Sequence, residues 1–274
     1  MPFNSLPPGW TSRPAFPGRV IKAGEADSAI VKLVQERLNF TGCGPLRING
    51  TFDRDHTERA AKLFQARYTD ATGQPLVVDG KIGSLTWGAM FGEDTTPANA
   101  LPPSRLLGEV LDVARRQIGV LEKPLGSNRG PEVDLYLQAV GLRPGRGSYA
   151  WCVAFTYFCF DTAARRLGCA NPHVRTAGVL DHWNRARDNR GAKRITHAAA
   201  VNDPGLVQPG QLFVMDYGGG KGHTGLVLEV ANGRLTTIEG NTNDGGSRDG
   251  IGVFQRDARK IAGVNKGFID YSAV

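Results

Sequence analysis

Apolar positions recur along this chain with two different periods, and the change of period divides it. "EADSAIVKLVQERLNF" carries Ile30, Leu33, Val34 and Leu38 at helical spacing, with Ser28 as the expected N-cap. "INGTFDRDHTERAAKLFQARY" supplies a glycine turn and a second helix that starts near Thr57 and turns Ala60, Ala61, Leu63 and Phe64 inward. "VVDGKIGSLTWGAMFG" repeats the plan with a short helix holding Leu85, Trp87, Met90 and Phe91, so "INGTF" and "VDGKIG" hint at an internal repeat. Farther on, "RLLGEVLDVARRQIG" puts Leu106, Leu107, Val110, Val113, Ala114 and Ile118 on one stripe, with Gly119 past its end. Pro131 opens a helix in "PEVDLYLQAVGL", and Cys152 to Leu167 gives another that stops near Gly168. After a loop-rich middle the period falls to two. "QLFVMDY", "HTGLVLEV" and "RLTTIEGN" read as strands separated by "GGGKG" and "ANG". Helices followed by an antiparallel sheet form an α+β signature.

Composition sharpens this division. With 274 residues and 41% apolar side chains the chain can build two packed domains. The expected layout is a Pro-rich leader at 1–17, extended and lightly held, and a small helical domain at 18–92. The polar, Pro-rich linker "EDTTPANALPPS" at 93–104 and a second domain at 105–274 complete it. Residues 1–100 hold 11 Lys and Arg against 10 Asp and Glu, so most of the net charge of +7 lies beyond them and favours anionic partners. No Lys/Arg block with interleaved aromatics occurs, so nucleic acid is not an expected partner.

Prolines interrupt "MPFNSLPPGWTSRPAFPGRV" where a signal peptide needs an unbroken apolar run. No segment is apolar for the ~18 residues a membrane span requires. The expectation is synthesis in the cytoplasm without a signal peptide. The cysteines Cys43, Cys152, Cys159 and Cys169 show no zinc-ligand spacing. Cys152 and Cys159 on one helix would stand roughly 10 Å apart, too far for a disulfide. Reduced, mostly buried thiols are expected, with no metal and no cofactor.

Two of those cysteines differ in chemistry. Cys152 falls at the first turn of its helix, where free N–H groups and the positive dipole end stabilise a thiolate. Cys159 lies two turns deeper among Phe155, Phe158 and Phe160, and is expected to be an inert core thiol. In "GGGKGHTGLVLEV" His223 begins a strand behind a glycine cluster. His56, His173, His182 and His197 stand in less distinctive contexts and read as ordinary polar histidines. In "TIEGNTN" Glu239 and Asn241 share one strand face, and either could accept a bond from the His223 ring, leaving the other nitrogen for the thiol.

Two resemblances follow from these motifs. Over about residues 18–92, Leu38, Ile48-Asn49-Gly50-Thr51-Phe52, Thr57, Ala61, Phe64-Gln65, Val78-Asp79-Gly80-Lys81-Ile82-Gly83 and Thr86-Trp87 resemble the three-helix bacterial peptidoglycan-binding domain. Over about 105–272, "YAWCVAF", "GHTGLVLEV" and "IEGN" resemble the CHAP family of papain-like cysteine amidohydrolases and peptidases. That resemblance implies a papain-like domain with N-terminal helices packed on an antiparallel sheet. It implies Cys152 as nucleophile, His223 as base, Glu239 as orienting carboxylate and Asn241 as an additional polar partner. Calcium-dependent members carry several Asp residues before the nucleophile; "GLRPGRGSYAWC" has none, so no calcium is expected.

Together these imply a peptidoglycan hydrolase, a cysteine amidase or endopeptidase cutting a stem-peptide or lactyl–alanine bond. A phage lysin and an injected antibacterial effector, acting in the periplasm or cell wall, fit equally. The alternatives are an amidohydrolase on a small peptide or polyamine conjugate, and a non-catalytic wall-binding component. A monomer without stable membrane insertion is expected. For the hairpin before Glu239, a three-residue turn Ala231-Asn232-Gly233 is expected, because a two-residue Asn232-Gly233 turn would aim Glu239 away from His223.

Overall fold

The computed structural model describes residues 6–70, 73–92, 95, 101–189, 191–242 and 250–273. Of the linker expected at 93–104, only Thr95 and residues 101–104 fall among these; the first five leader residues lie outside them. The chain divides into two compact units, one within residues 1–98 with the short segments 201–205 and 231–233, the other from the remainder.

The first unit contains α1 (Ser28–Phe40), α2 (Thr57–Arg67) and α3 (Ser84–Phe91). Asp27, not Ser28, caps α1: its carboxylate accepts from the N–H groups of Ala29 and Ile30 at 3.1 and 3.2 Å. The inward stripe of α2 runs through Thr57, Ala60, Ala61, Phe64 and Gln65, a spacing that leaves Leu63 turned outward and 37% exposed.

Two buried glutamines explain the internal repeat. Gln35 Nε2 donates to Asn49 Oδ1, the Thr51 carbonyl and Thr57 Oγ1, while its Oε1 accepts from the Gly50 N–H. Gln65 Nε2 donates to the equivalent set, Asp79 Oδ1, the Lys81 carbonyl and Thr86 Oγ1, and its Oε1 accepts from the N–H groups of Asp79 and Gly80. Each glutamine thus ties one helix to a turn whose glycine has φ 75°. Leader residues 6–17 are packed rather than lightly held. Trp10 stacks on Phe91 and donates to Glu36 at 2.7 Å; Phe16 packs edge-on against the buried Trp87.

The second unit begins with α4 (Arg105–Gln117), α5 (Pro131–Ala139) and α6 (Cys152–Leu167). The α4 stripe is buried as its pattern requires, except that Ile118 lies past the helix end and is 40% exposed. The middle of the chain, expected as loop, holds α7 (Val179–Ala186), β1 (Lys193–Thr196) and α8 (His197–Asn202). The recognised strands are β2 (Leu212–Gly218), β3 (Lys221–Ala231) and β4 (Arg234–Thr242), followed by β5 (Gly252–Lys260) and β6 (Gly267–Asp270). They form one antiparallel sheet in the order β1-β6-β2-β3-β4-β5, an α+β arrangement. One sheet face, with Leu212, Val214, Leu226 and Ile238, packs on α4, α5 and α6. The other, with Phe213, Val227, Leu235 and Phe268, closes a smaller core.

The hairpin between β3 and β4 corrects one expectation. Asn232 and Gly233 both have positive φ, 51° and 67°, which is the signature of a two-residue turn rather than the three-residue one. Such a turn alone would put Glu239 on the wrong face. However, Val227 and Val230, three positions apart, join the same core cluster, while Leu226 and Leu228 belong to the opposite one. The alternation of β3 therefore slips once between Leu228 and Val230, as a β-bulge does, and His223 and Glu239 return to a common face.

Candidate active site

Cys152 is the first residue of α6 and is 3% exposed. The helix closes its first bond from Phe155 N–H to the Trp151 carbonyl, so the N–H groups of Cys152, Val153 and Ala154 have no partner within the helix. This helix end reaches the sheet because β4 has a glycine there. A Cβ at Gly240 would lie 2.7 Å from Phe155 and 2.8 Å from the Trp151 ring.

His223 lies opposite Met215 on β2, 1% exposed. Its Nε2 is 2.8 Å from Glu239 Oε2, a contact for which Gly225 leaves room: a Cβ there would come within 2.9 Å of the Glu239 side chain. The other ring nitrogen, Nδ1, makes no aligned hydrogen bond, yet the Cys152 sulfur is near enough to act on the imidazole as hydrogen-bond partner and charge. Loose alignment of this kind is common in unliganded active sites. Burial disfavours the charged imidazole, but the Cys152 sulfur and the Glu239 carboxylate outweigh it and raise the His223 pKa to about 9.

Glu239 is fully buried and saturated. Burial works against its charge, but His223 and then Arg259 hold its pKa down to about 2. Arg259 grips it with two parallel bonds, Nε to Oε1 and Nη2 to Oε2, both 2.9 Å, and Thr237 Oγ1 donates to Oε1 at 2.7 Å. The Arg259 guanidinium in turn lies 4.5 Å from the Phe213 ring centre, and that ring is 5.8 Å from His223.

Arg259 is absent from the sequence-based site. It belongs to β5, a polar segment with no strand signature, and nothing in "GVFQRDARK" separates it from Arg256. Thr237 was accessible, since it lies two positions from Glu239 on one strand and so on the same face. Asn241 is 3% exposed, with φ 56° and a buried side-chain oxygen that has no hydrogen-bond partner among the described residues; the bond to the imidazole goes to Glu239 instead.

The other histidines stay outside this arrangement. His56 is exposed beside Asp53, and His197 Nδ1 bonds the Val264 carbonyl. His173, in the loop before α7, and His182, in α7, are both buried, bonded to Thr156 and Tyr271. All four cysteines are free, and burial pushes the Cys159 thiol far above its ordinary pKa. Among the described residues no group of three or more His, Cys, Asp or Glu is placed to hold a metal ion, and no helix is long and apolar enough to cross a membrane.

No curated protein and no solved structure matches the chain significantly. One family model does match, that of the CHAP domain, over residues 144–241, which takes in Cys152, His223, Glu239 and Asn241 but neither Arg259 nor the helical unit. Residues 144–241 are thus similar to the CHAP domain, a hydrolase domain of the amidase or peptidase kind.

Proposed function

We propose that the chain is a peptidoglycan hydrolase that cleaves an amide of the stem peptide, or the lactyl–alanine bond, through Cys152. The observation that carries this reading is the buried bond from His223 Nε2 to Glu239 Oε2, with the Cys152 sulfur coupled to the same imidazole. Thiolate and imidazolium stabilise one another, and Glu239 holds the ring so that Nδ1 faces the sulfur. The thiolate attacks the carbonyl carbon, and the oxyanion is met by the Cys152 N–H, which has no partner within the helix. The proton on Nδ1 passes to the leaving amine as the C–N bond breaks, giving a thioester. Nδ1 then takes a proton from water, whose oxygen attacks the thioester; collapse releases the acid and restores the thiolate–imidazolium pair. Asn241, with its unpartnered buried oxygen, is the additional polar group of the site.

The helical unit serves in this reading as the wall-binding module, raising the local concentration of the enzyme on an insoluble polymer. Its most distinctive residues, Gln35 and Gln65, are occupied in holding turns, so binding falls to other side chains. Clearing of purified cell walls tests the mechanism: Cys152→Ala should abolish it, and full clearing by that variant would refute the thiolate. Mass spectrometry of the digest names the bond from its new termini.

A further inference from the structure

Glu122 is a buried carboxylate that the mechanism above does not use. It is 1% exposed, and among the described residues no cation pairs with it. Its two oxygens are instead held by neutral donors, Oε1 by the indole N–H of Trp151 at 2.8 Å and Oε2 by the backbone N–H of Asn128 at 3.0 Å. Burying a carboxylate on such terms is costly, so a well-packed neutral side chain would serve a merely structural purpose better. One end of this arrangement is the residue immediately before Cys152. The Trp151 ring is wholly buried, its indole N–H fixed by Glu122 and its Cζ3 edge against the backbone of Gly240, between Glu239 and Asn241. At the other end, Asn128 Nδ2 donates to Ser148 Oγ at 2.9 Å, tying the same loop to the segment that leads into α6.

We propose that Glu122 is a positioning residue for the nucleophile: by fixing Trp151 against β4 it sets where the Cys152 sulfur stands relative to His223. The proposal rests on the cysteine mechanism above. It also accounts for the placement of Trp151 as the N-cap residue of α6 without any side-chain capping bond. The indole serves the neighbouring loop and the sheet rather than the helix.

The test compares Glu122→Gln, Glu122→Ala and Trp151→Phe in the full chain. Two quantities are read: kcat and KM on soluble muropeptides, and the rate at which iodoacetamide alkylates Cys152 across pH. Alkylation is followed on the Cys152 peptide by mass spectrometry, because the exposed Cys169 also reacts. Displacement of the sulfur should lower kcat about 10- to 100-fold in Glu122→Ala and Trp151→Phe, with KM within about twofold. Cys152 alkylation should fall in parallel with a displaced pH profile. Glu122→Gln, which keeps one acceptor, should fall between these and the parent. If Glu122→Ala does not fold, the other two variants decide. Folded variants with unchanged kcat and alkylation, a loss in KM alone, or a loss of kcat with normal alkylation would each overturn the proposal. Lysis by Cys152→Ala would instead sink the hydrolase mechanism, leaving the alkylation rates as an intact measure of Glu122.

Discussion

Two places in the second unit bury imidazole, and they treat it in opposite ways. His223 is raised to about 9, because the sulfur of Cys152 and the carboxylate of Glu239 more than offset its burial. His173 is lowered to about 3 by burial, with the Val174 carbonyl and Thr156 hydroxyl as its ring's partners among the described residues, and the His182 ring lies tilted against it with its centre 4.1 Å away. Exposure alone cannot tell these histidines apart, for all three are at most 4% exposed. The charge of the partner can. The Cys152 sulfur and a carboxylate backed by Arg259 favour the charged form of one ring, whereas burial, joined at His182 by the nearby Arg185 cation, favours the neutral form of the others.

The contrast predicts a hierarchy of losses on purified walls. His223→Ala should lower kcat by about 10³-fold or more, because both the stabilised thiolate and the proton donor go. His182→Gln, measured on folded protein, should stay within about twofold of the parent, since its ring touches no proposed reacting group. Equal losses would erase the distinction. Glu239→Gln comes next, at about 10²- to 10⁴-fold. It should also move a limb of the pH profile: the parent loses activity as His223 deprotonates near pH 9, and without the carboxylate that limb shifts to lower pH. A kcat/KM profile with its alkaline limb unmoved would show that Glu239 does not govern the ring. Arg259→Ala should cost about tenfold by loosening Glu239, with partial recovery in Arg259→Lys, which keeps charge but not the paired bonds. No loss in Arg259→Ala would leave the guanidinium a structural ion only.

Sequence made one half of this contrast legible. Cys152 at a helix start, a Gly-His on a strand and a Glu two positions before an Asn carry their chemistry in local order, and the α+β class follows from the change of period. What stayed hidden depends on long-range partners. Arg259 reaches Glu239 from a strand whose pattern is polar, and the short β1 and β6 are too brief to show a period. The hairpin is instructive for a different reason: the face of Glu239 is set by a slip in β3, several residues from the turn that seemed to decide it. Likewise Glu122 meets Trp151 across 29 positions, a separation no motif spans.

The smallest expected effect concerns stability and separates the two histidine sites by sign. The folded pKa values of His173 and His182 lie below the ordinary value of 6.5, so the unfolded chain binds more protons as pH falls through that value. Stability from these neutral rings is complete above pH 6.5 and declines as pH falls below it, for His173 toward about pH 3, at up to about 1.4 kcal/mol per pH unit for each histidine. His223 behaves in the reverse sense. Its contribution is fully present below 6.5 and disappears as pH rises through about 9. Glu239, held near 2, does not enter until pH falls below about 4.5. Urea unfolding at pH 7, 6 and 5 should therefore show a falling midpoint in the parent and roughly half that slope in His182→Gln. His223→Gln should keep the acid slope and lose the parent's fall on the alkaline side, read in the same way between pH 7 and 9. An acid slope unchanged in His182→Gln would mean that the His173–His182 pair is already protonated inside the folded core, and the opposition between the two sites would fail.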